Sequence, residues 1–141
     1  MPVIDDAGLR AILENARTVA VVGFSAKTDR PSYGVARFLR DEADYTVYLV
    51  NPTLAEVEGD RVYPDLASLP GPVDVVDVFR NPEALAQVAE DAIAAGAKVL
   101  WGQLGVVNME AAAAAEAAGL QVVMDHCMKI EFQRLNITPR N

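Results

Sequence analysis

Short apolar runs recur along the chain, and valine is prominent in them. They are nearly continuous in hydrophobicity rather than alternating, which is typical of parallel strands whose two faces are both covered by helices. The pattern predicts five such strands, at Thr18–Gly23, Thr46–Val50, Val73–Phe79, Lys98–Trp101 and Gln121–Met124.

Between these runs, apolar residues recur at helical spacing. In one segment Leu85, Val88 and Ala92 fall on a single face, and Gly96 follows as a C-cap. The spacing predicts helices at Ala7–Ala16, Tyr33–Glu42, Glu83–Ala95, Asn108–Ala118 and Cys127–Leu135. A turn is expected at residues 58–60, and a short helical connector at residues 63–69.

The alternation of strands and helices predicts an α/β fold, with a single domain over residues 1–141. We expect a Rossmann-type, doubly wound parallel sheet with helices on both faces and the order 3-2-1-4-5, counting the predicted strands along the chain. In that order the switch point lies between the first and fourth strands. Ligands bind outside the carboxyl ends of the strands at such a point, so the loops after the strands are the candidate binding segments.

Composition narrows the classes of partner. Hydrophobic residues make up 52% of the 141 residues, and no apolar run approaches the ~20 residues of a membrane helix. The formal charge of −8 repels nucleic acid and anionic membranes, so neither is an expected partner. The single Cys127 excludes an internal disulfide and fits a reducing, cytoplasmic location. With one His and one Cys, the composition also argues against a structural zinc site, which usually takes four nitrogen or sulfur ligands.

The loop after the first predicted strand is the richest in candidate chemistry. It runs from Gly23 to Gly34 into a helix, so backbone N–H groups and a helix N-terminus could face an anion there. It also carries hydroxyl and cationic side chains, at Ser25, Lys27, Thr28, Arg30 and Ser32. Positive charge in an acidic protein favours a phosphorylated ligand. The loop lacks both the G-x-G-x-x-G fingerprint and a Walker A sequence, and an ordinary strand–helix connection is the alternative.

Two further loops carry candidate ligand contacts. Asn51 and Pro52 end the second predicted strand, where NAD-binding domains usually carry an acidic residue for the ribose. This argues against NAD and leaves room for an adenosine with an extra phosphate, although Asn-Pro is also a common turn dipeptide. After the third strand, Arg80 lies on the expected ligand side and could meet a phosphate or a carboxylate.

The last two loops contain an aromatic, an amide and a thiol. Trp101 could pack on a flat or apolar part of a ligand, or could be a core residue, while Gln103 offers both a donor and an acceptor. Cys127 begins the last predicted helix, where a thiol can be activated, but no catalytic triad or oxyanion hole is legible, so a structural thiol is favoured. Asp77 alternates with valine inside a predicted strand and has no clear role.

Six segments together resemble a known family. They are VAVVGFSAKTDRPSYGVARFL (Val19–Leu39), VNPT (Val50–Thr53), VYPDLASLP (Val62–Pro70), VDVVDVFRNPE (Val73–Glu83), WGQLGVVN (Trp101–Asn108) and GLQVVMDHCMKIE (Gly119–Glu131). Their order and spacing resemble the small stand-alone CoA-binding proteins of bacteria and archaea. That family is related to the N-terminal CoA-binding domain of the succinyl-CoA synthetase α subunit. It usually shows Arg at the position of His126, so no role is carried over to that residue.

The resemblance implies a Rossmann-type domain that binds coenzyme A or an acyl-CoA. The pyrophosphate would lie at residues 23–34, the adenosine near residues 51 and 52, and the remaining contacts along the cleft. The expected contact residues are Gly23, Phe24, Ser25, Lys27, Arg30, Pro31, Ser32, Gly34, Asn51, Pro52, Phe79, Arg80, Trp101 and Gln103. In the related ligases the phosphorylated histidine and the nucleotide-grasp domain lie outside this module. We therefore expect a CoA-binding module with no catalytic residues of its own.

Three alternatives stay open. One is an oxidoreductase that binds NAD(P) or another nucleotide, and another is a thiol or acyl-transfer enzyme that depends on Cys127. The third is a regulatory partner of a larger enzyme, with CoA as effector. A homodimer is a further expectation for a small domain with alanine-rich helices.

Overall fold

The computed structural model of the protein describes residues 1–139. Seven strands form one sheet in the order β3-β4-β2-β1-β5-β6-β7. The strands are β1 (Thr18–Val22), β2 (Thr46–Val50), β3 (Glu56–Val57), β4 (Asp60–Tyr63), β5 (Val75–Val78), β6 (Val99–Gly102) and β7 (Gln121–Val123). The helices are α1 (Asp6–Asn15), α2 (Pro31–Asp41), α3 (Leu85–Ala94), α4 (Met109–Ala117) and α5 (Met128–Arg134). Short 3-10 turns occur at Leu66–Ser68 and Pro82–Ala84.

The predicted α/β class is confirmed, but the strand count and order differ from the prediction. Asp60–Tyr63 was expected to be part of a turn and a connector, whereas it forms β4 and pairs in parallel with β2. Val75–Val78 therefore lies beside β1 rather than beyond β2. The reason is that β4 lies near the sheet edge and buries only Val62 among its residues, so it lacks the continuous apolar signal of the inner strands.

The turn predicted at residues 58–60 is confirmed as a tight hairpin. Glu58 and Gly59 connect β3 to β4, and both have positive φ, at 51° and 86°. Two left-handed residues in succession match the right-handed twist of the flanking strands. β3 and β4 form the antiparallel pair of this otherwise parallel sheet.

Helices cover both faces of the sheet, as predicted. In β1, Val19 and Val21 pack into the core formed with α1, α2 and α5. Ala20 and Val22 point the other way, into the core formed with α3 and α4. Because both faces are buried, alternating side chains must all be apolar, which explains the continuous runs in the sequence. Every helix within residues 1–139 is too short or too polar to cross a bilayer.

The switch point of the sheet lies between β1 and β5. The first half of the chain builds the sheet outward from β1 through β2 and β4, and the second half extends on the other side through β5, β6 and β7. Loops that follow β1 and β5 diverge to opposite sides and leave a crevice at the carboxyl edge. The crevice borders β1 on the side away from β2, as predicted, but the strand on its other side is the third predicted strand rather than the fourth.

Candidate functional site

A cleft with two compartments opens at the carboxyl edge of the sheet. The larger compartment has a volume of about 450 Å³ and the smaller one about 370 Å³. Gly23 and Arg80 line both, so the compartments meet at the switch point. Of the contact residues expected from the sequence, the larger compartment is lined by Gly23, Ser25, Arg30, Pro31, Ser32, Phe79, Arg80 and Gln103. The smaller one adds Asn51 and Pro52.

Gly23 allows the two central loops to approach each other closely. Its φ is +85°, and a Cβ at this position would lie 3.0 Å from both the Phe79 carbonyl oxygen and Arg80 Cγ. The Gly23 N–H donates to the carbonyl oxygen of Val50 at 3.0 Å, which joins the ends of β1 and β2. Only glycine meets both the dihedral requirement and the steric one.

Arg30 and Arg80 provide unpaired positive charge in the larger compartment. Both are exposed, and within residues 1–139 neither lies within ion-pair distance of an acidic side chain. In contrast, Arg37, Arg40 and Arg134 each pair with a carboxylate. In a chain with a formal charge of −8, two unpaired guanidinium groups in one cleft make it a local site for an anion.

The loop after β1 uses part of its own hydrogen-bonding capacity. The Ser25 N–H donates to Ser32 Oγ at 3.0 Å, and the Lys27 N–H donates to Ser25 Oγ at 3.1 Å. These two backbone N–H groups are therefore engaged within the loop and do not face the cleft as free donors. The N-terminus of α2 still faces the larger compartment through Pro31 and Ser32, with no side-chain cap on the helix.

Four of the expected contact residues line neither compartment. Phe24 is buried in the core and stacks on Tyr33, with ring centroids 6.3 Å apart. Lys27 is exposed beside the cleft, and Gly34 lies in α2 with open space where a Cβ would be. Trp101 is fully buried, and its Nε1–H donates to the carbonyl oxygen of His126 at 2.8 Å. Because side chains alternate between the two faces of the sheet along β6, the indole lies in the core beneath the cleft. The structure therefore shows Trp101 as a core residue.

Asn51 organises the smaller compartment. Its Nδ2 donates to the Phe24 carbonyl oxygen at 2.7 Å, and its Oδ1 accepts from the Thr53 N–H at 2.8 Å. These bonds make a turn after β2 and tie it to the loop after β1. Asp65 and Asp91 also line this compartment and were not expected from the sequence. Asp65 follows the unpredicted strand β4, and Asp91 lies in α3.

The far wall of the larger compartment is mostly apolar and was also missed. Leu104, Val106 and Ile130 line it, and Leu104 and Ile130 are 61% and 48% exposed. Cys127 lies in the same wall, and burial raises the pKa of its thiol, although the backbone N–H groups of Ile130 and Lys129 oppose the shift. A raised pKa leaves less thiolate at neutral pH. The sequence signal for this wall is the apolar pair Leu104 and Val106 just after β6, whereas Ile130 comes from α5.

Gln103 and Asp77 form a buried polar pair at the floor of the cleft. The Gln103 Nε2–H donates to Asp77 Oδ1 at 2.6 Å. Asp77 is fully buried, burial raises the pKa of its carboxyl to about 8, and its Oδ2 has no partner within residues 1–139. The described part of the chain holds no group of three potential metal-ligating side chains.

A family comparison accounts for this architecture. The model of the family described as the CoA binding domain matches residues 17–133, which include both compartments. The chain belongs to the CoA binding domain family. The family expected from the sequence is thereby confirmed.

Two relatives match nearly the whole chain, and a longer enzyme matches it over part of its length. The Bacillus subtilis protein YneT, described as uncharacterized, is 40% identical over 124 residues, covering 88% of this chain and 91% of YneT. A hypothetical protein from Pyrococcus horikoshii OT3 is 38% identical, with a TM-score of 0.90 and 96% of each chain covered. A dinucleotide-forming acetyl-coenzyme A synthetase 1 from Ca. Korarchaeum cryptofilum is 25% identical, with a TM-score of 0.69 over 78% of this chain and 26% of that enzyme. The matched part of this chain thus corresponds to about a quarter of that synthetase.

Proposed function

We propose that this CoA binding domain binds coenzyme A or an acyl-CoA across the cleft, with the diphosphate between Arg30 and Arg80. The observation that carries the proposal is that both guanidinium groups lack a carboxylate partner within residues 1–139 and line the same compartment. Arginine can bind phosphate oxygens with two parallel N–H bonds, which favours a diphosphate over a single negative charge.

The surroundings of the two arginines support this position for the diphosphate. The N-terminus of α2 adds the positive end of a helix dipole, with Ser32 in its first turn. Gly23 keeps the backbone between the compartments free of a side chain. The adenosine then occupies the smaller compartment, and the pantetheine arm runs along the apolar wall of the larger one.

We assign a binding role and no catalytic residue to the domain. Cys127 is the thiol nearest to the expected end of the pantetheine arm, but the raised pKa of its side chain disfavours a nucleophilic thiolate. A Cys127-dependent transfer reaction remains the less favoured proposal, and rapid alkylation of Cys127 would revive it.

A dinucleotide such as NAD is the second candidate ligand. Asp65 and Asp91 line the smaller compartment, where a carboxylate can accept hydrogen bonds from a free ribose diol. Thermal unfolding with excess CoA, dephospho-CoA or NAD separates the candidates, because a ligand stabilises the fold according to its concentration over its Kd. We expect CoA to raise Tm and NAD to leave it unchanged.

Calorimetric titration of CoA into matched variants tests the position of the phosphates. Arg30→Ala and Arg80→Ala should each weaken binding by about 1–3 kcal/mol, the scale of a lost hydrogen bond to a charged group. Arg17→Ala is the control, since it removes the same charge from an exposed residue just before β1, at the opposite edge of the sheet. Equal affinities for all three variants and the wild type would show that the diphosphate lies elsewhere.

A further inference from the structure

We propose that Gln103, held in one orientation by Asp77, is the residue that recognises an amide of the ligand's arm. The cleft would thereby prefer a pantetheine-bearing ligand over a bare nucleotide. This inference rests on the proposed function and adds to it a specificity-determining residue and a positioning residue beneath it.

The backbone fixes Gln103 at the end of β6. Its N–H donates to the Val78 carbonyl oxygen at 3.2 Å, and its own carbonyl oxygen accepts from the Val106 N–H at 2.8 Å. The tight turn that follows requires Gly102, where a Cβ would lie 2.6 Å from the Val106 carbonyl oxygen. Gln103 is only 5% exposed, yet it lines the larger compartment.

Asp77 determines which end of the Gln103 amide faces the cleft. It occupies β5 beside Trp101 of β6, where the neighbouring β5 residues are all valine. Its Oδ1 accepts the Nε2–H of Gln103 at 2.6 Å, so the amide nitrogen points down into the sheet. The Gln103 Oε1 accepts no hydrogen bond from residues 1–139, and it is not among the buried unpartnered atoms, so it faces the compartment as a free acceptor.

Burial of the Asp77 carboxyl is energetically unfavourable, which argues that the Asp77–Gln103 pair has a role in binding. Asp77 Oδ2 is the one fully buried side-chain oxygen or nitrogen without a partner within residues 1–139. An unsatisfied buried carboxyl oxygen is unfavourable, and a valine would continue the pattern of the strand. What the carboxyl supplies at this position is an oxygen that accepts the Gln103 Nε2–H and so holds the side chain beneath the cleft.

The chemistry of the wall indicates the group that Gln103 recognises. Phe79, Leu104, Val106 and Ile130 line the same compartment as Gln103 with apolar side chains, and Arg30 and Arg80 supply its positive charge. A free carbonyl acceptor in an apolar wall is complementary to an N–H donor on an otherwise apolar chain. The secondary amides of a pantetheine arm are N–H donors of this kind. The nucleotide half of CoA would place no such amide in the larger compartment.

Titration with two probes tests the inference, using CoA and its nucleotide half, adenosine 3′-phosphate 5′-diphosphate. Gln103→Met should weaken CoA binding about two- to tenfold, the range for one neutral hydrogen bond, and should leave the affinity for the nucleotide half unchanged. Asp77→Asn keeps an oxygen for the Gln103 Nε2–H and should bind CoA like the wild type. Asp77→Leu releases the amide and should reproduce the loss seen in Gln103→Met.

The outcomes separate this inference from the proposed function. If the wild type binds neither probe, the proposed function fails. If the wild type binds CoA but Gln103→Met weakens both probes equally, or neither, the recognition of the arm by Gln103 is wrong. Retention of full CoA affinity in Asp77→Leu would overturn the positioning role of Asp77. Circular dichroism melts establish that each variant is folded, and if Asp77→Leu is not, Gln103→Met and Asp77→Asn decide the matter.

Discussion

Replacing Asp77 by Asn should remove most of the pH dependence of stability above pH 5. Asp77 is fully buried in β5, and burial raises the pKa of its carboxyl to about 8 from an ordinary value of 3.8. The hydrogen bond from Gln103 opposes the shift, but no charged neighbour contributes to it. The folded protein therefore holds a proton on Asp77 that the unfolded chain releases above about pH 4. Because the folded state binds more protons in this window, its stability decreases as the pH rises through it.

The magnitude follows from proton linkage. Each pH unit inside the window lowers the free energy of unfolding by about 1.4 kcal/mol. Raising the pH from about 5 to about 8 should therefore cost the wild type on the order of 3–4 kcal/mol. For a domain of 141 residues this corresponds to about 10 °C in Tm. An Asn at position 77 stays neutral and keeps an oxygen for Gln103, so Asp77→Asn should show a nearly level profile and exceed the wild type at high pH.

Urea unfolding followed by far-UV circular dichroism measures the effect at several pH values across this window. Asp29→Asn serves as the control, since it removes an acidic group that is exposed in the loop after β1. It should keep the slope of the wild type. Parallel profiles for the wild type and Asp77→Asn would refute the account of Asp77 as a buried, proton-holding carboxyl.

Three further predictions concern individual residues at or beneath the cleft. Gly23→Ala should lower the free energy of unfolding by about 1–3 kcal/mol, because the φ of +85° and the closeness of Phe79 both disfavour a Cβ at this position. Chemical denaturation measures the loss, and a denaturation midpoint equal to that of the wild type would contradict the prediction. Trp101, the single tryptophan, should keep its fluorescence spectrum when CoA saturates the protein, since the indole is fully buried outside the cleft, whereas strong quenching would place it at the ligand. Cys127 should react with a thiol-exchange reagent more slowly than a free thiol at neutral pH, and more slowly still with CoA bound.

The inner strands were predictable because burial on both faces leaves a strong sequence signal. β1, β2, β5 and β6 are inner strands made mostly of apolar residues, and their positions agree with the prediction to within about two residues. β4 was not predictable in this way, because an outer strand with partly exposed residues has the polar composition of a loop. The predicted order was wrong for the same reason, because β4 occupies the place beside β2 that the prediction gave to Val73–Phe79.

The candidate site shows a similar division. Arg30 and Arg80 follow strand ends on the ligand side, and the structure brings them into one compartment as that position implies. Trp101 was ambiguous because a residue at a strand end can face either the cleft or the core, and the pleat decides which. The pairing of Asp77 with Gln103 joins residues 26 positions apart and depends on the lateral neighbours of β5 and β6, which the sequence does not reveal.

A crystal structure of the protein with bound coenzyme A measures the central proposal most directly. We expect the diphosphate oxygens to lie within hydrogen-bonding distance of the guanidinium groups of both Arg30 and Arg80, beside Gly23. Coenzyme A bound away from these two side chains, or a cleft that stays empty at saturating coenzyme, would contradict the account.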